Sequence, residues 1–233
     1  MEKRTANIST NISANIMLYR RSDDATCDFI RKNLVTDTEF SVIGSLDGMT
    51  DAEIASLEAE NPAYGVPVYL SDGQTIYADH HKLDETALNL AQRLQQQDSA
   101  PLVMFCTIPW PRLAGLRNII RPSEIMEGLA AAATPTGGTI GVVQPDAITA
   151  EAELVHWTEL PYQIISACAD AGEGNEAIFT AAVKDLIERG SDAIVLDCLG
   201  YTRSHLELVR QMTDKPVIFP LDIIGKSLDS LFG

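Results

Sequence analysis

The sequence predicts an α/β protein made of two pseudo-symmetric, Rossmann-like (flavodoxin-like) lobes with mostly parallel sheets and a cleft between them. Apolar runs of strand length alternate with longer segments of helical period, which is typical of βαβ units. Two strand–helix–strand–helix–strand units also have similar lengths, and each ends in a cysteine. Val143 to Cys198 spans 55 residues; Tyr19 to Cys106 spans 87, or 53 if the 34 residues 46–79 are an inserted helix and β-hairpin.

The first lobe is predicted to cover residues 1–120 and to be completed by the C-terminal segment 212–233. Its strands are expected at 15–19, 39–43 and 101–106, with a helix after the first strand and another over about 82–97. Within the predicted insertion, Thr50 and Glu53 have the spacing of a capping box that opens a short helix. The turn Ser71-Asp72-Gly73-Gln74 then joins the two strands of the hairpin.

The second lobe is predicted over residues 121–211 and repeats the same rhythm. Pro122 and Ser123 open an alanine-rich helix. Strands are expected at 139–143, 162–166 and 193–198, separated by helices around 150–157 and 176–189. A further strand at 217–219 and a final helix follow, and these belong to the C-terminal segment assigned to the first lobe.

Composition narrows the functional class. The 233 residues are 45% hydrophobic and 21% charged, which suits a globular chain with a real core. The N-terminus lacks a signal-peptide pattern, no apolar run is long enough to span a membrane, and the four cysteines are widely spread, so we expect a cytoplasmic protein with free thiols. A net charge of −16 without a basic cluster argues against nucleic acid. A small-molecule substrate is expected, with no metal site.

Cys106 and Cys198 are the candidate catalytic residues. Ligands of open α/β sheets bind beyond the carboxyl ends of the strands, which is where both sulfurs are expected. A thiolate and a thiol on opposite sides of a carbon could remove and return a proton without a cofactor. Hydrogen-bond donors near the developing negative charge are then needed, and Thr107, the Leu199 and Gly200 amides and Tyr201 are the candidates. The competing interpretation is that both cysteines are small hydrophobic residues of the core.

Other side chains are candidates for substrate contact. Arg21, with its neighbour Arg20, is a possible counter-ion for a substrate carboxylate, and Ser22 lies in the same loop after the first strand. Gln144 holds the matching place after the first strand of the second lobe. Cys168 also lies near a strand end, where it could line the cleft or simply pack.

These residues resemble the AroM family over about 41–231. The resemblance is carried by Leu46-Asp47-Gly48, the Ser-Asp-Gly turn, Arg121-Pro122-Ser123, Gly141-Val142-Val143 and above all Leu196-Asp-Cys-Leu-Gly-Tyr201. That family looks related to the aspartate/glutamate racemase superfamily, whose cofactor-independent enzymes use two catalytic cysteines at pseudo-symmetric strand ends. The resemblance implies that Cys106 and Cys198 are those thiols, that Thr107 is the hydroxyl neighbour of the first, that no cofactor is needed, and that a homodimer is possible.

The chain departs from the better-known relatives in two places. Leu199-Gly200 stands where well-known racemases have Thr-His after the second cysteine, and Arg20-Arg21-Ser22-Asp23 replaces the Gly-Gln-x-Pro-Arg turn of many AroM relatives. The preferred hypothesis is a racemase or epimerase that moves a proton next to a carboxylate or carbonyl. The alternatives are a non-catalytic small-molecule-binding protein, and a decarboxylase or isomerase that uses a single thiol.

Overall fold

The computed structural model describes residues 13–172 and 174–233. Its strands are β1 Ser13–Leu18, β2 Glu39–Gly44, β3 Gly65–Tyr69, β4 Thr75–Asp79, β5 Leu102–Met104, β6 Ile119–Ile120, β7 Thr139–Gln144, β8 Gln163–Cys168, β9 Ala193–Leu196 and β10 Val217–Ile218. Its helices are α1 Asp24–Asn33, α2 Asp51–Ala55, α3 His80–Gln97, α4 Pro122–Ala133, α5 Ala150–Glu153, α6 Val155–Thr158, α7 Glu176–Glu188, α8 Arg203–Met212 and α9 Pro220–Phe232.

Eight of these strands form two parallel sheets of four. The first sheet has the order β2-β1-β5-β6, and the second has the order β8-β7-β9-β10. When the four strands of each sheet are numbered along the chain, leaving out the hairpin strands β3 and β4, both sheets have the order 2-1-3-4. The predicted fold class, two related lobes with mostly parallel sheets, is therefore confirmed.

The central strands are buried because helices cover both faces of each sheet, as expected for parallel strands. Every residue of β5 and of β9 is buried, which explains their uninterrupted apolar sequences Leu-Val-Met and Ala-Ile-Val-Leu. One hydrophobic cluster joins the two lobes, since it contains Val103 of β5 together with Ile194 of β9. The sheets therefore share a core, and their carboxyl ends open into a common cleft.

The segment between β2 and α3 forms the short helix and the hairpin that the sequence predicts. Thr50 and Glu53 make both bonds of the capping box at the start of α2. Strands β3 and β4 pair antiparallel, from Gly65 opposite Asp79 to Tyr69 opposite Thr75. The hydroxyl of Tyr77 on β4 donates to Asp146 of the second lobe at 2.9 Å. The hairpin thus spans the cleft; its status as an insertion stays a prediction.

The C-terminal segment is divided between the lobes, which corrects part of the predicted boundary. Strand β10 pairs with β9 and so belongs to the second sheet, although the sequence analysis placed 212–233 with the first lobe. Helix α9 does reach the first lobe, where the Asp229 carboxylate accepts hydrogen bonds from the hydroxyls of Thr36 and Thr38. Residues 1–120 and 121–211 as lobe cores remain a prediction. No helix in the described ranges is long and apolar enough to cross a membrane.

Candidate active site

Cys106 and Cys198 occupy equivalent turns in the two lobes. Each follows the third strand of its lobe by two residues, and its amide donates to the carbonyl of the last strand residue: Cys106 to Met104 at 2.8 Å, Cys198 to Leu196 at 2.9 Å. The preceding amide bonds to the first strand in both cases, from Phe105 to Met17 and from Asp197 to Val143. Both strands therefore end two residues earlier than the sequence predicts, but the two cysteines occupy equivalent positions.

Both cysteines line one cleft of about 860 Å³ at the carboxyl ends of the strands. Thr107, Leu199 and Gly200 line it too, and the Thr107 hydroxyl donates to the Asp197 carbonyl at 3.4 Å. Cys168, the last residue of β8, also lines the cleft and is exposed. The site is therefore assembled from both lobes.

The two thiols are buried in similar electrostatic surroundings. Burial raises the pKa of Cys106 to about 12, and the Ile108 amide and the Trp110 indole N–H offset this only in part. Burial also raises the pKa of Cys198 to about 12, against a hydrogen bond of 3.2 Å from the Gly200 amide. Both side chains are therefore neutral thiols near pH 7.

Gly200 is fitted to its position beside Cys198. A Cβ at this residue would lie 3.3 Å from the Cys198 sulfur and 3.1 Å from the Cβ of Ala171. The absence of a side chain lets the backbone N–H approach the sulfur from close range. Leu199-Gly200 thus supplies an amide donor at the place where the better-known relatives are expected to supply polar side chains.

Arg20 is the guanidinium that faces the cleft. Its Cζ lies 5.9 Å from the ring centre of Tyr19 and 5.6 Å from that of Tyr69, which are cation–π distances. Its charge lowers the pKa of the Cys198 thiol, although burial outweighs the effect. Arg20 forms no salt bridge within the described ranges, so its charge is available to an anionic ligand.

The structure does not bring Arg21 and Ser22 to the cleft, although both were predicted as substrate contacts. Arg21 points toward the helix α2 and the hairpin, where it bonds Asp51 at 2.6 Å, Ser71 at 2.9 Å and the Met49 carbonyl. Ser22 donates to Asp47 through its amide at 2.8 Å and its hydroxyl at 2.7 Å. The Leu46-Asp47-Gly48 motif therefore anchors the first loop, and these side chains serve the architecture.

Tyr201 and Gln144 also lie outside the cleft lining. Tyr201 is fully buried and its hydroxyl donates to the Ala169 carbonyl at 2.6 Å, so it packs beneath the cleft. Gln144 is fully buried as the last residue of β7, and its amide donates to the Ala150 carbonyl at 3.0 Å. Their expected contact with substrate is not supported, because both polar groups face the interior.

Sequence reasoning missed a set of acidic residues in the cleft. Asp146 and Asp170 come from loops after β7 and β8, Glu153 ends α5, and Asp197 precedes Cys198. Burial raises the pKa of Glu153 to about 7, with smaller contributions from the negative charges of Asp197 and Asp146. A signal was present at Asp197, an acidic residue at the end of an apolar strand. No sequence signal indicated Glu153, because it lies in a short helix with the composition of an exposed segment.

Solved structures of other proteins share the two-lobe fold. The glutamate racemase from Aquifex pyrophilus matches with a TM-score of 0.53 and 15% identity, covering 95% of this chain and 84% of its own. An arylmalonate decarboxylase matches with a TM-score of 0.56 and 14% identity, over 94% and 90% of the two chains. The aspartate racemase from Picrophilus torridus matches at 0.50 and 14%, over 94% and 93%. The chain therefore has the aspartate/glutamate racemase fold.

The sequence itself defines the family. Residues 25–232 match the AroM protein family, which is nearly the whole chain. The chain belongs to the AroM family, as the motifs around Cys198 indicated. No curated protein is similar enough in sequence to count as a match.

Proposed function

We propose that this protein is a cofactor-independent racemase or epimerase that moves a proton on the carbon next to a carboxylate or carbonyl. The observation that carries the proposal is the equivalence of Cys106 and Cys198: both follow the third strand of their lobe by the same turn, and both line one cleft. Opposed thiols on one cleft are the arrangement that proton removal from one face and return to the other requires.

In this mechanism one thiol is deprotonated and the other stays protonated. The thiolate takes the α-proton, the electron pair is left in an enolate-like carbanion, and the opposite thiol gives its proton to the other face. The second sulfur is then the thiolate, so the protein is ready for the reverse direction. Either sulfur can be the first thiolate, because the Gly200 amide and Arg20 favour the charged form of Cys198, and the Ile108 amide and the Trp110 indole N–H favour that of Cys106.

Carbanion formation needs groups that accept the growing negative charge of the substrate. Arg20 supplies the positive charge that would hold a carboxylate, and Leu199 supplies a backbone amide at the Cys198 turn. The Thr107 hydroxyl and the Gly200 amide, which donate to the Asp197 carbonyl and the Cys198 sulfur, would have to turn toward the substrate to act as further donors. The resting pKa of about 12 at both sulfurs means that a thiolate is rare before substrate binds. Catalysis therefore depends on how far these groups lower the thiol pKa in the complex.

The test is α-proton exchange in heavy water with both enantiomers of amino acids, hydantoins and hydroxy acids. We expect exchange with a substrate enantiomer pair, and loss of racemisation in both Cys106→Ala and Cys198→Ala. Each single variant should still exchange the proton of one enantiomer only, since one thiol remains. Cys27→Ala, which removes a buried thiol of α1 outside the cleft, is the matched control. Racemisation that survives in both cleft variants would contradict the two-thiol mechanism.

A single-thiol decarboxylase or isomerase is the second candidate. It is favoured by one difference between the two sulfurs: the positive charge of Arg20 lowers the pKa of Cys198, whereas no cation is among the main groups that act on Cys106. In that case only Cys198→Ala would abolish activity. If no substrate reacts while carboxylates still bind, the non-catalytic binding protein is the better description.

A further inference from the structure

The charges around the cleft are unequal. Among the described residues, four carboxylates line it (Asp146, Glu153, Asp170 and Asp197) against one guanidinium, that of Arg20. Asp146 and Asp170 would repel a ligand that is only anionic, and Glu153 would do so once its carboxyl, whose pKa is raised by burial to about 7, is ionised. Arg20 comes from the first lobe and Glu153 from the second, so a positive and a negative side chain face the same space from opposite lobes.

The carboxylates differ in how their oxygens are used. Asp146 accepts from the Tyr77 hydroxyl and the Ile148 amide, and Asp170 accepts from Gly172 and Asn175. These two are held by local partners. Both oxygens of Asp146 are used, whereas Asp170, Glu153 and Asp197 each have one oxygen that accepts no hydrogen bond within the described ranges.

Asp197 is the buried member of these three, whereas Glu153 is half-buried and Asp170 is exposed. Asp197 is 3% exposed; one oxygen accepts from the Trp157 indole at 2.7 Å, while Oδ1 accepts no hydrogen bond within the described ranges. A buried carboxylate oxygen without a donor is costly, and burial accordingly raises the pKa of this carboxyl; a nearby cation would stabilise its charged form. Glu153 accepts from the Thr149 hydroxyl at 2.9 Å through Oε1, and Oε2 has no hydrogen-bond donor among the described residues.

We infer that the substrate carries a cationic nitrogen as well as a carboxylate, with the carboxylate at Arg20 and the cation against Glu153, supported by Asp197 and Asp146. This rests on the proposed function, which places the reacting carbon beside the two thiols. Both charges act at that point, since Arg20 lowers and Glu153 raises the pKa of Cys198. A dicarboxylate is disfavoured because its second anion would enter the acidic side of the cleft.

The test is calorimetric binding of four six-carbon ligands: hexanoate, 6-aminohexanoate, norleucine and adipate. They share a carboxylate and differ in having no second charge, a remote ammonium, an α-ammonium or a second carboxylate. We expect at least one ammonium ligand to bind about tenfold more tightly than hexanoate, and adipate to bind most weakly. The stronger of the two ammonium ligands locates the cation relative to the carboxylate. Adipate binding as tightly as the ammonium ligands, or no binding by any of the four, would overturn the inference.

Variants assign the preference to a residue. Glu153→Gln should remove the advantage of the ammonium ligand without weakening the binding of hexanoate. Glu151→Gln, an exposed glutamate of the same helix, should keep the advantage. A preference that persists in Glu153→Gln contradicts the assignment.

The unmodified protein provides a further readout through pH. Because the carboxyl of Glu153 has a pKa of about 7, ammonium binding should strengthen about tenfold from pH 6 to pH 8, while hexanoate binding should not. The titratable and charged groups around Glu153 are Tyr77, Cys106, Asp146, His156, Cys168, Asp197 and Cys198.

The binding measurements need no proton transfer from carbon, so the preference for an ammonium ligand can hold even if the α-proton exchange experiment fails. Exchange without the preference would overturn this inference alone.

Discussion

At the scale of single residues, the cleft depends on which of two adjacent arginines faces it. Arg20 stacks near Tyr19 and Tyr69 and acts on Cys198, whereas Arg21 turns away to Asp51 and Ser71. Their sequence context is the same, and both follow β1 within a few residues. The orientation is decided by Asp47, which holds the Ser22 amide, and by the hairpin, which receives Arg21. These are distant contacts that a local pattern does not contain.

The Arg20→Gln variant should slow alkylation of Cys198. Removing the positive charge raises the pKa of a thiol that already lies near 12, so less thiolate is present at any pH. We expect the rate of iodoacetamide reaction at Cys198 to fall roughly threefold at fixed pH, as measured by mass spectrometry of the modified peptide.

Arg21→Gln is the control for that measurement. It should leave the Cys198 rate unchanged and instead lower the free energy of unfolding by about 1 kcal/mol, because partly exposed bonds to Asp51 and Ser71 are lost. Equal alkylation rates in the wild type and Arg20→Gln would show that Arg20 does not act on the sulfur.

The other candidate residues also differ in whether their side chains face the cleft or the interior. The cysteines could be predicted because two apolar strands of similar context end beside them, and the structure places both in the cleft. Tyr201 and Gln144 also follow or end such strands, but their polar groups bond Ala169 and Ala150 in the interior. A strand end fixes only the neighbourhood of a side chain. Whether it turns inward or outward depends on the packing of elements far away in sequence.

At the scale of elements, the hairpin β3–β4 connects the lobes by the bond from Tyr77 to Asp146. Burial and that carboxylate raise the pKa of the Tyr77 hydroxyl to about 12, so the phenol remains a donor throughout the neutral range. Tyr77→Phe should lower the free energy of unfolding by about 1 kcal/mol in denaturant titrations. Tyr64→Phe, an exposed tyrosine just before β3, should change it little. Equal stability of both variants would mean that the bond adds nothing.

Helix α9 depends on a close approach at Gly225. A Cβ there would lie 2.0 Å from the carbonyl oxygen of Val35 and 3.0 Å from its carbon, so the helix would have to move away from the first lobe. Gly225→Ala should therefore lower the free energy of unfolding by about 2–3 kcal/mol, despite the better helix propensity of alanine.

Gly128→Ala is the matched control because it is also within a helix. A Cβ at Gly128 in α4 meets nothing within 4 Å, so the substitution should raise stability by about 0.5–1 kcal/mol. Thermal and chemical unfolding of both variants check the pair. Similar changes in the two would indicate that α9 does not pack tightly at this point.

At the scale of the whole molecule, the equivalence of the two lobes could be predicted from lengths and apolar patterns, but the order of the strands and the path of the C-terminus could not. The two-residue strand β10 pairs with β9, while the next helix crosses to the first lobe. The sequence pattern predicts a strand and then a helix there, but it does not predict which lobe each of them packs against. The charges of the cleft were hidden for the same reason, since Asp146, Glu153 and Asp197 meet only after both lobes have folded.

The acidic side of the cleft should make global stability depend on pH in a defined direction. Burial raises the pKa of Glu153 from 4.5 in the unfolded chain to about 7. Because the folded state prefers the protonated form, stability falls as pH rises from about 4.5 to about 7 and then levels off, by roughly 3 kcal/mol at most.

Glu153→Gln removes this titration. The variant should equal the wild type near pH 4.5, gain on it steadily up to pH 7, and stay about 2–3 kcal/mol more stable above that in urea titrations. Glu151→Gln, on the exposed side of α5, should show no such pH-dependent gain. If Glu153→Gln gained nothing at pH 8, the carboxylate would already be satisfied in the empty cleft, and a substrate cation would have no charge there to neutralise.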